Sequence, residues 1–517
     1  MISAIAAKGL GALFKIPLTN MLGGVGMSYF SCAYSIFMPV YALTVTGLST
    51  AVARLTAESM ALGMYENVRR IRKTAHLLFS AVGVLGSLLI LFLAKPFSLL
   101  ATGNTQSGLA VAMIAPSVLF GCVTAVERGY YEGMSNMYPT ALSQAAEGVV
   151  KVVAGLWLCG LAQTRSTEIM AYFPEITDAR AISAGAGILG VTLSTVGAAA
   201  FFALLSLFRP RRKQQGEAHL QDRGRIAADL VKTALPVGVS ALVTNLTAVI
   251  DMMTIIGCIS RFGLRGGLPI GVSPEEAPGF VYGSFSGIAL TVFNLVPSVT
   301  NMLGKGVLPS VTEAWASGDK MRLRKFSSQA LFAAAVIAVP AAVGLAVLSP
   351  WVLHFLFPRQ WDEAEICVNA LRLLMPGMVC LCLSFPLFGM LQGIGRASSP
   401  LKIMALGTAV KLAGNLIFIP LTGADGAAIS TSLCYAVILA VSLRAYIRAA
   451  GISLKIEPFF TVILSGLMCG GAALLAADIS AKVGTDGILV ILLSAMIGGT
   501  AYLASLMFMQ KNGGHSR

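Results

Sequence analysis

Charge is what this sequence has least of. Asp, Glu, Lys and Arg make up 12% of its 517 residues, about half the roughly 25% of a soluble domain. No long polar stretch is left from which a separate soluble domain could fold. Histidine is scarcer still, with four residues far apart and no metal-site spacing. Nine cysteines are scattered through apolar segments, none in a CxxC pair and only Cys380 and Cys382 close together. They read as small buried apolar residues, not as a disulfide framework or metal ligands. No phosphate-cradling glycine loop of the Walker type occurs, so direct use of ATP is not expected, and nothing points to a cofactor. A membrane enzyme would want carboxylates or histidines clustered in a large loop outside the cytoplasm. The longest candidates, near 162–182 and 260–279, hold Glu168, Glu175, Asp178, Glu275 and Glu276 but no histidine. The chain is therefore not read as an enzyme.

What fills the sequence instead is apolar: 56% of residues are hydrophobic. Runs of about 20 residues recur from end to end, each long enough to cross a hydrocarbon core about 30 Å thick. They predict an all-α polytopic membrane protein with about 14 transmembrane helices, beginning with 2–22 and 28–53 and ending with 458–477 and 487–509. Pro39, Pro236 and Pro297 interrupt spans, which is tolerated where freed backbone groups face protein or a wet cavity. The net charge of +14 would suggest nucleic acid in a soluble chain. Here basic residues mark cytoplasmic loops instead, and no nucleic-acid partner is expected. Alternate loops and the C-terminal tail hold 24 basic residues, from Arg54 to Arg517, against seven in the opposite loops. That split places both termini in the cytoplasm and requires an even number of spans. Lys8 and Lys15 sit inside the first apolar stretch, not before it, so a cleaved signal peptide is not expected. A lipid bilayer is the expected setting.

The chain also repeats itself. "GLSTAVARLTAESMALGMYE" (47–66) echoes "LGKGVLPSVTEAWASGDKM" (303–321), with Glu58 on Glu313 and Gly63 on Gly318. "EGMSNMYPTALSQAAEGVVKVVAG" (132–155) echoes "QGIGRASSPLKIMALGTAVKLAGN" (392–415), with Lys151 on Lys411. Both matches join loops of the same sidedness. They predict two pseudo-symmetric seven-helix lobes in parallel orientation around a central cavity, an arrangement suited to alternating access. Along the chain this gives an N-terminal lobe over 1–208, a basic cytoplasmic linker at 209–227, spans 7–12 over 228–446, and spans 13–14 with a short tail over 447–517.

Six basic residues remain inside spans: Lys8, Lys15, Lys151, Lys232, Arg372 and Lys411. A charge at bilayer depth costs at least about 2.5–3.5 kcal/mol. Lys232 and Arg372 lie near span ends and can snorkel. Lys8 and Lys15, seven residues apart, share a helix face and are expected to line a wet cavity. Arg54 reads either as an ordinary positive-inside residue or as a third cation of that cavity. Such a cavity suits a phosphate or diphosphate headgroup, which needs ammonium or guanidinium donors. Cationic drugs would want carboxylates and aromatics instead. In "ALSQAAEGVVKVVAG" (141–155), Glu147 and Lys151 share a helix face and are expected to neutralise each other across one turn. Asp251, in "TNLTAVIDMMTIIG", reads either as a partner for a lysine or as a coupling-ion site.

Four stretches carry a family resemblance: "KGLGALFKIPLTNMLGGVGMSYF" (8–30), "GLSTAVARLTAE" (47–58), "GYYEGMSNMYPTALSQAAEGVVKV" (129–152) and "GADGAAISTSL" (423–433). They resemble the SpoVB and MurJ-like branch of the multidrug/oligosaccharidyl-lipid/polysaccharide exporter superfamily over nearly the whole chain. The resemblance implies a fourteen-helix flippase for undecaprenyl-diphosphate-linked saccharides, notably the peptidoglycan precursor lipid II. A small-molecule exporter of the multidrug type on the same scaffold is the alternative. Lys8, Lys15 and Arg54 match by position the basic residues that bind diphosphate in such proteins; with Glu147 and Lys151 they form the candidate substrate site. The arginine that MurJ relatives carry in the eighth helix is missing from "GSFSGIALTVFNLVP" (283–297), and the acid early in their second helix from "GMSYFSCAYS" (26–35). Some relatives hold sodium among the seventh, eleventh and twelfth helices. Asp251, Asn415 and Thr431 match ligands of that site, while Lys411 stands where a neutral ligand is expected. The resemblance thus leaves H+ or Na+ as coupling ion, with the Lys411 ammonium read as replacing the metal and pairing with Asp251.

Overall fold

The first two expected spans lie in one run of helix that breaks at a single glycine. In the computed structural model, which describes residues 2–172, 174–207, 221–263, 272–396, 398–454, 457–482 and 487–513, helix α1 (Ile2–Tyr41) passes through Gly23 at φ 66°, ψ −179°. That combination is open in practice only to glycine. A π-helical turn (Ala42–Thr46) then joins α1 to α2 (Gly47–Ala61). Residues 208–220, most of the expected basic linker, lie outside the described residues, as do the side chains at 2–9, 12, 305, 457, 458 and 510–513.

The chain divides into two compact units, Met1–Ile256 and Gly257–Arg517. The first continues through α3 (Tyr65–Thr102), α4 (Gly108–Ile114), α5 (Pro116–Gly133), α6 (Tyr138–Thr164), α7 (Ser166–Met170), α8 (Ala179–Leu207) and most of α9 (Arg223–Phe262). The second holds α10 (Ala277–Ser284), a buried π-helical turn (Phe285–Ala289), α11 (Leu290–Phe293), α12 (Leu295–Ala316), α13 (Lys320–Val347), α14 (Ser349–Leu356) and α15 (Trp361–Gly393). It ends with α16 (Ser399–Thr422), α17 (Ala424–Ala450), α18 (Glu457–Lys482) and α19 (Gly487–Gly513). No strand occurs among the described residues, and the all-α polytopic architecture expected from the sequence is observed.

Twelve helical segments among the described residues are long and apolar enough to cross a membrane. The pair Ala277–Phe293 and Leu295–Ala316, bent by 48°, makes a thirteenth if taken as one span. The first of the twelve contains the α2 segment and the part of α1 beyond Gly23 as well as the part before it. Its two pieces are the first and second spans of the sequence reading. Helix α3 has 38 residues, about 57 Å at 1.5 Å per residue, nearly twice the hydrocarbon thickness. Its N-terminal turns, with Arg69, Arg70, Arg72 and Lys73, therefore extend past the apolar core.

Lipid tails are as apolar as leucine, so helices in a membrane associate by close packing, and small residues allow it. Within the first unit, Gly190 of α8 lies directly on Gly155 of α6, and a Cβ at Gly129 or Gly133 of α5 would strike the α2 backbone at Ser49 or Ala53. Within the second, Gly389 of α15 lies on the Gly304 carbonyl of α12.

The repeat seen in the sequence extends to backbone detail. Helices α2 and α12 end alike: Gly63 and Gly318 both take φ +70°, with Met64 N donating to Ser59 O at 2.9 Å and Asp319 N to Ala314 O at 3.1 Å. Helices α5 and α15 also end alike. Asn136 N donates to Tyr131 O at 3.0 Å and Arg396 N to Leu391 O at 2.9 Å, around Ser135 at φ 59° and Gly395 at φ 82°.

Candidate functional site

Helix α6 presents Lys151 toward α1, and the residues beside it explain how. Gly148 and Gly155 lie three residues before and four after, on the same face. A Cβ at Gly148 would come within 2.7 Å of Leu10 Cδ1, and one at Gly155 within 2.5 Å of Phe14 Cε2. The missing side chains let α1 approach, and Lys151 is held between two glycine notches. Its Nζ stands 5.1 Å from the ring centre of Phe14 and 5.3 Å from that of Tyr34. Both distances are within the range of a cation–π contact, worth about 0.5–2 kcal/mol. The rings continue along α1 as an aromatic ladder: Phe14–Phe30 at 6.0 Å, Phe30–Tyr34 at 5.0 Å, Tyr34–Phe37 at 6.1 Å and Phe37–Tyr41 at 4.9 Å. Lys15, half-buried on α1, lies near enough to Lys151 for the two ammonium groups to repel.

Glu147 does not neutralise Lys151. Its Oε2 receives Arg128 Nη2 from α5 at 2.6 Å, while Arg128 Nε donates to Ser143 Oγ at 3.1 Å. Ser143 and Glu147 are one turn apart on α6, so the guanidinium spans both and the carboxylate is taken. This corrects the pairing expected from helix spacing. The reason is geometric: a guanidinium fork on the next helix meets two acceptors at once. Arg54 is exposed on α2 and forms no ion pair among the described residues. The side chain of Lys8 lies outside the described residues. Of the expected substrate residues, the structure thus gathers Lys15 and Lys151 and places Glu147 with Arg128.

A second ionic cluster was not singled out by the sequence. Glu127 of α5 is buried, and its Oε1 accepts from Arg72 Nε at 2.9 Å and stands 2.6 Å from His76 Nε2, with Arg72 Nη2 in ion-pair contact at 2.7 Å, both residues from α3. The Arg72 guanidinium also lies 5.2 Å from the Tyr130 ring centre. Arg72 and Arg128, which the loop count assigns to the cytoplasmic side as free basic residues, are both engaged within helices. The only sequence signal is the adjacency Glu127–Arg128 at a span end, which reads as a loop edge.

The four candidate ion-coupling residues are all buried: Asp251 on α9 in the first unit, and Lys411, Asn415 and Thr431 in the second. Lys411 and Asn415 are one turn apart on α16. Gly407 and Gly414 flank Lys411 and lie against Ile438 and Ser430 of α17, a small–lysine–small pattern like that around Lys151. The Ser430 hydroxyl donates to Asn415 Oδ1, and Thr431 Oγ1 donates to Ala427 O at 2.7 Å. Arg372, expected near a span end, donates from Nε to Ser349 Oγ at 3.0 Å.

This is the architecture of a two-unit, multi-pass membrane transporter fold. The solved structure described as lipid II flippase MurJ in an inward closed conformation superposes with a TM-score of 0.71 at 15% identity, covering 99% of this chain and 98% of that one. An inward-facing MATE family transporter of the MOP superfamily gives 0.66 at 16% identity, covering 86% and 95%. The family model described as "Polysaccharide biosynthesis protein" matches residues 1–315, and the MatE model residues 285–417. The chain belongs to the polysaccharide biosynthesis protein family. Among relatives in Bacillus subtilis (strain 168), it is 25% identical to the lipid II flippase MurJ, over 97% of this chain and 93% of that protein. It is 21% identical to stage V sporulation protein B, over 90% and 86%.

Proposed function

We propose that the protein is a flippase for undecaprenyl-diphosphate-linked saccharide, with the peptidoglycan precursor lipid II as substrate, working by alternating access across the bacterial cytoplasmic membrane with both termini cytoplasmic. The observation that carries this reading is Lys151, an ammonium group on a membrane-spanning helix walled by Phe14 and Tyr34, while the one acid of that helix, Glu147, is held by Arg128. A charge at bilayer depth is costly, and a diphosphate supplies the anion that offsets it with charge-assisted hydrogen bonds. A cationic drug would be repelled, which disfavours the multidrug alternative. The relative named as a lipid II flippase supports the substrate class. Asp251, Lys411, Asn415 and Thr431 are assigned to ion coupling, and no chemistry on the substrate is required of any residue.

The test is depletion in cells. Undecaprenyl-diphosphate-linked saccharide is expected to accumulate in the inner leaflet, and wild-type protein but not Lys151→Gln is expected to relieve it. Unchanged lipid-linked intermediates together with altered drug efflux would establish the exporter reading instead.

A further inference from the structure

Glu127 is a buried carboxylate that the proposed substrate path does not use. Its two oxygens are treated unequally. Oε1 takes both hydrogen bonds, from Arg72 Nε and His76 Nε2, and the ion-pair contact of Arg72 Nη2, while Oε2 is buried and accepts no hydrogen bond among the described residues. We propose that Glu127, His76 and Arg72 form a proton-exchange site of the first unit, whose occupancy sets the rate of translocation.

The chemistry follows from the donor inventory. With the carboxylate ionised, the His76 nitrogen facing Oε1 carries a hydrogen, so in the neutral ring the other nitrogen, Nδ1, is the basic one. The cluster then holds one cation, Arg72, and one anion, Glu127. A proton taken from water onto Nδ1 makes an imidazolium, and the carboxylate has two cations to serve. The unused Oε2 is the acceptor that lets a single carboxylate do so, one oxygen to each. Only an N–H bond forms or breaks, and the proton is exchanged with the aqueous phase. The His76 side chain is 31% exposed and that of Glu127 5%, so the ring is the member that water reaches.

Other charged groups sit on the helices around the cluster. On α3, Arg70 donates to Gln221 O at 2.8 Å, Glu66, Arg69 and Lys73 are exposed, and Lys95 pairs with Glu175 at 2.6 Å. On α5 itself Arg128 is committed to Glu147 and Ser143, Glu132 is half-buried near the helix end, and Tyr130 and Tyr131 lie alongside. From α2, Arg54 and Glu58 are exposed, and Thr56 is the buried polar neighbour. Helix α6 offers Glu147, already engaged, and Lys151, placed at the Phe14 and Tyr34 rings; α1 carries Lys15, while α4, α8 and the π-helical turn carry no ionisable acid or base between their first and last residues except Arg180 at the start of α8. Arg180 is held by Asp178. Imidazole is the side chain whose charge ordinarily changes near neutral pH, and His76 lies one turn beyond Arg72, near the end of α3 that extends past the apolar core. Protonation here alters the charge between α3 and α5, the two helices it joins.

Two measurements decide the matter. In protein labelled at the imidazole nitrogens, the His76 signals, assigned by their loss in His76→Gln, are expected to change with pH over the range the protein tolerates and to change in Glu127→Gln. In proteoliposomes carrying fluorescent undecaprenyl-diphosphate-linked disaccharide, an imposed pH gradient is expected to change the wild-type rate several-fold, and His76→Gln to abolish that response while translocation without a gradient persists. A His76 ring whose protonation is fixed across the range, or a gradient response that survives His76→Gln, overturns the proposal. If wild-type protein does not move the lipid at all, the substrate reading fails and the histidine signals alone decide this one.

Discussion

Arg128 holds Glu147 at 2.6 Å, and by doing so it leaves Lys151, one turn further along the same helix, to the rings of Phe14 and Tyr34. Two cations compete for one acid, and the guanidinium has it. The surplus positive charge therefore stands at the aromatic wall and not at the α5–α6 interface. In Arg128→Gln, Glu147 is released to the i+4 lysine, and binding of undecaprenyl diphosphate is expected to weaken about tenfold, or ~1.4 kcal/mol. Arg128→Gln combined with Glu147→Gln is expected to restore it, whereas Lys151→Gln is expected to stay defective in every background. Titration calorimetry in detergent reads all of these proteins; a double variant no better than Arg128→Gln would show that Arg128 acts only as a structural tie.

Ser135 holds a left-handed φ of 59° where its repeat counterpart is Gly395. A side chain in that region costs about 1–2 kcal/mol, offset in part by the greater unfolded-state freedom of glycine. Ser135→Gly is expected to stabilise the protein by about 0.5–1 kcal/mol and Gly395→Ser to destabilise it by a similar amount. Thermal unfolding in one detergent, with the two variants shifting in opposite directions, is the check.

Loop sidedness can be read with thiol reagents because eight of the nine native cysteines are buried and Cys380 is half-buried. Ser317→Cys, in an exposed turn after α12, is expected to be protected from an impermeant maleimide in intact cells. Ser273→Cys, exposed before α10, is expected to be labelled. The reverse pattern would invert the topology derived from the basic residues.

If the Lys411 ammonium stands in for a metal cation, replacing sodium with potassium is expected to leave translocation unchanged, while Asp251→Asn and Lys411→Met each slow it at least tenfold, about 1.4 kcal/mol in the barrier. Sodium-dependent transport that survives Lys411→Ala but is lost in Asp251→Ala would assign the site to sodium instead.

Much of the fold was legible because its signals are local. Apolar length shows a span, and the Glu58–Gly63 and Glu313–Gly318 echo shows a repeat because a left-handed helix end asks for glycine. The Ser135–Gly395 correspondence was hidden, since serine does not advertise a positive φ. Lys15 and Lys151 were legible as cations at a depth where lipid forbids them. Their wall was not, because Phe14 and Tyr34 look like any aromatic residue in a greasy helix. Glu147 shows where spacing misleads: residues four apart face the same way, but helical periodicity says nothing about Arg128 arriving from another helix. Glu127 was invisible for the same reason, its partners being 51 and 55 residues away on α3.

The break at Gly23 gives the lysine wall a mechanical property. Phe14 belongs to the rod before that glycine and Tyr34 to the rod after it, so the two rings are jaws of a calliper whose fulcrum is one residue without a side chain. Lys151 is gripped only at one opening of the jaws. The placement of the two rings about the ammonium therefore follows from the backbone angles of Gly23, together with the Phe14–Phe30 contact that bridges the two rods.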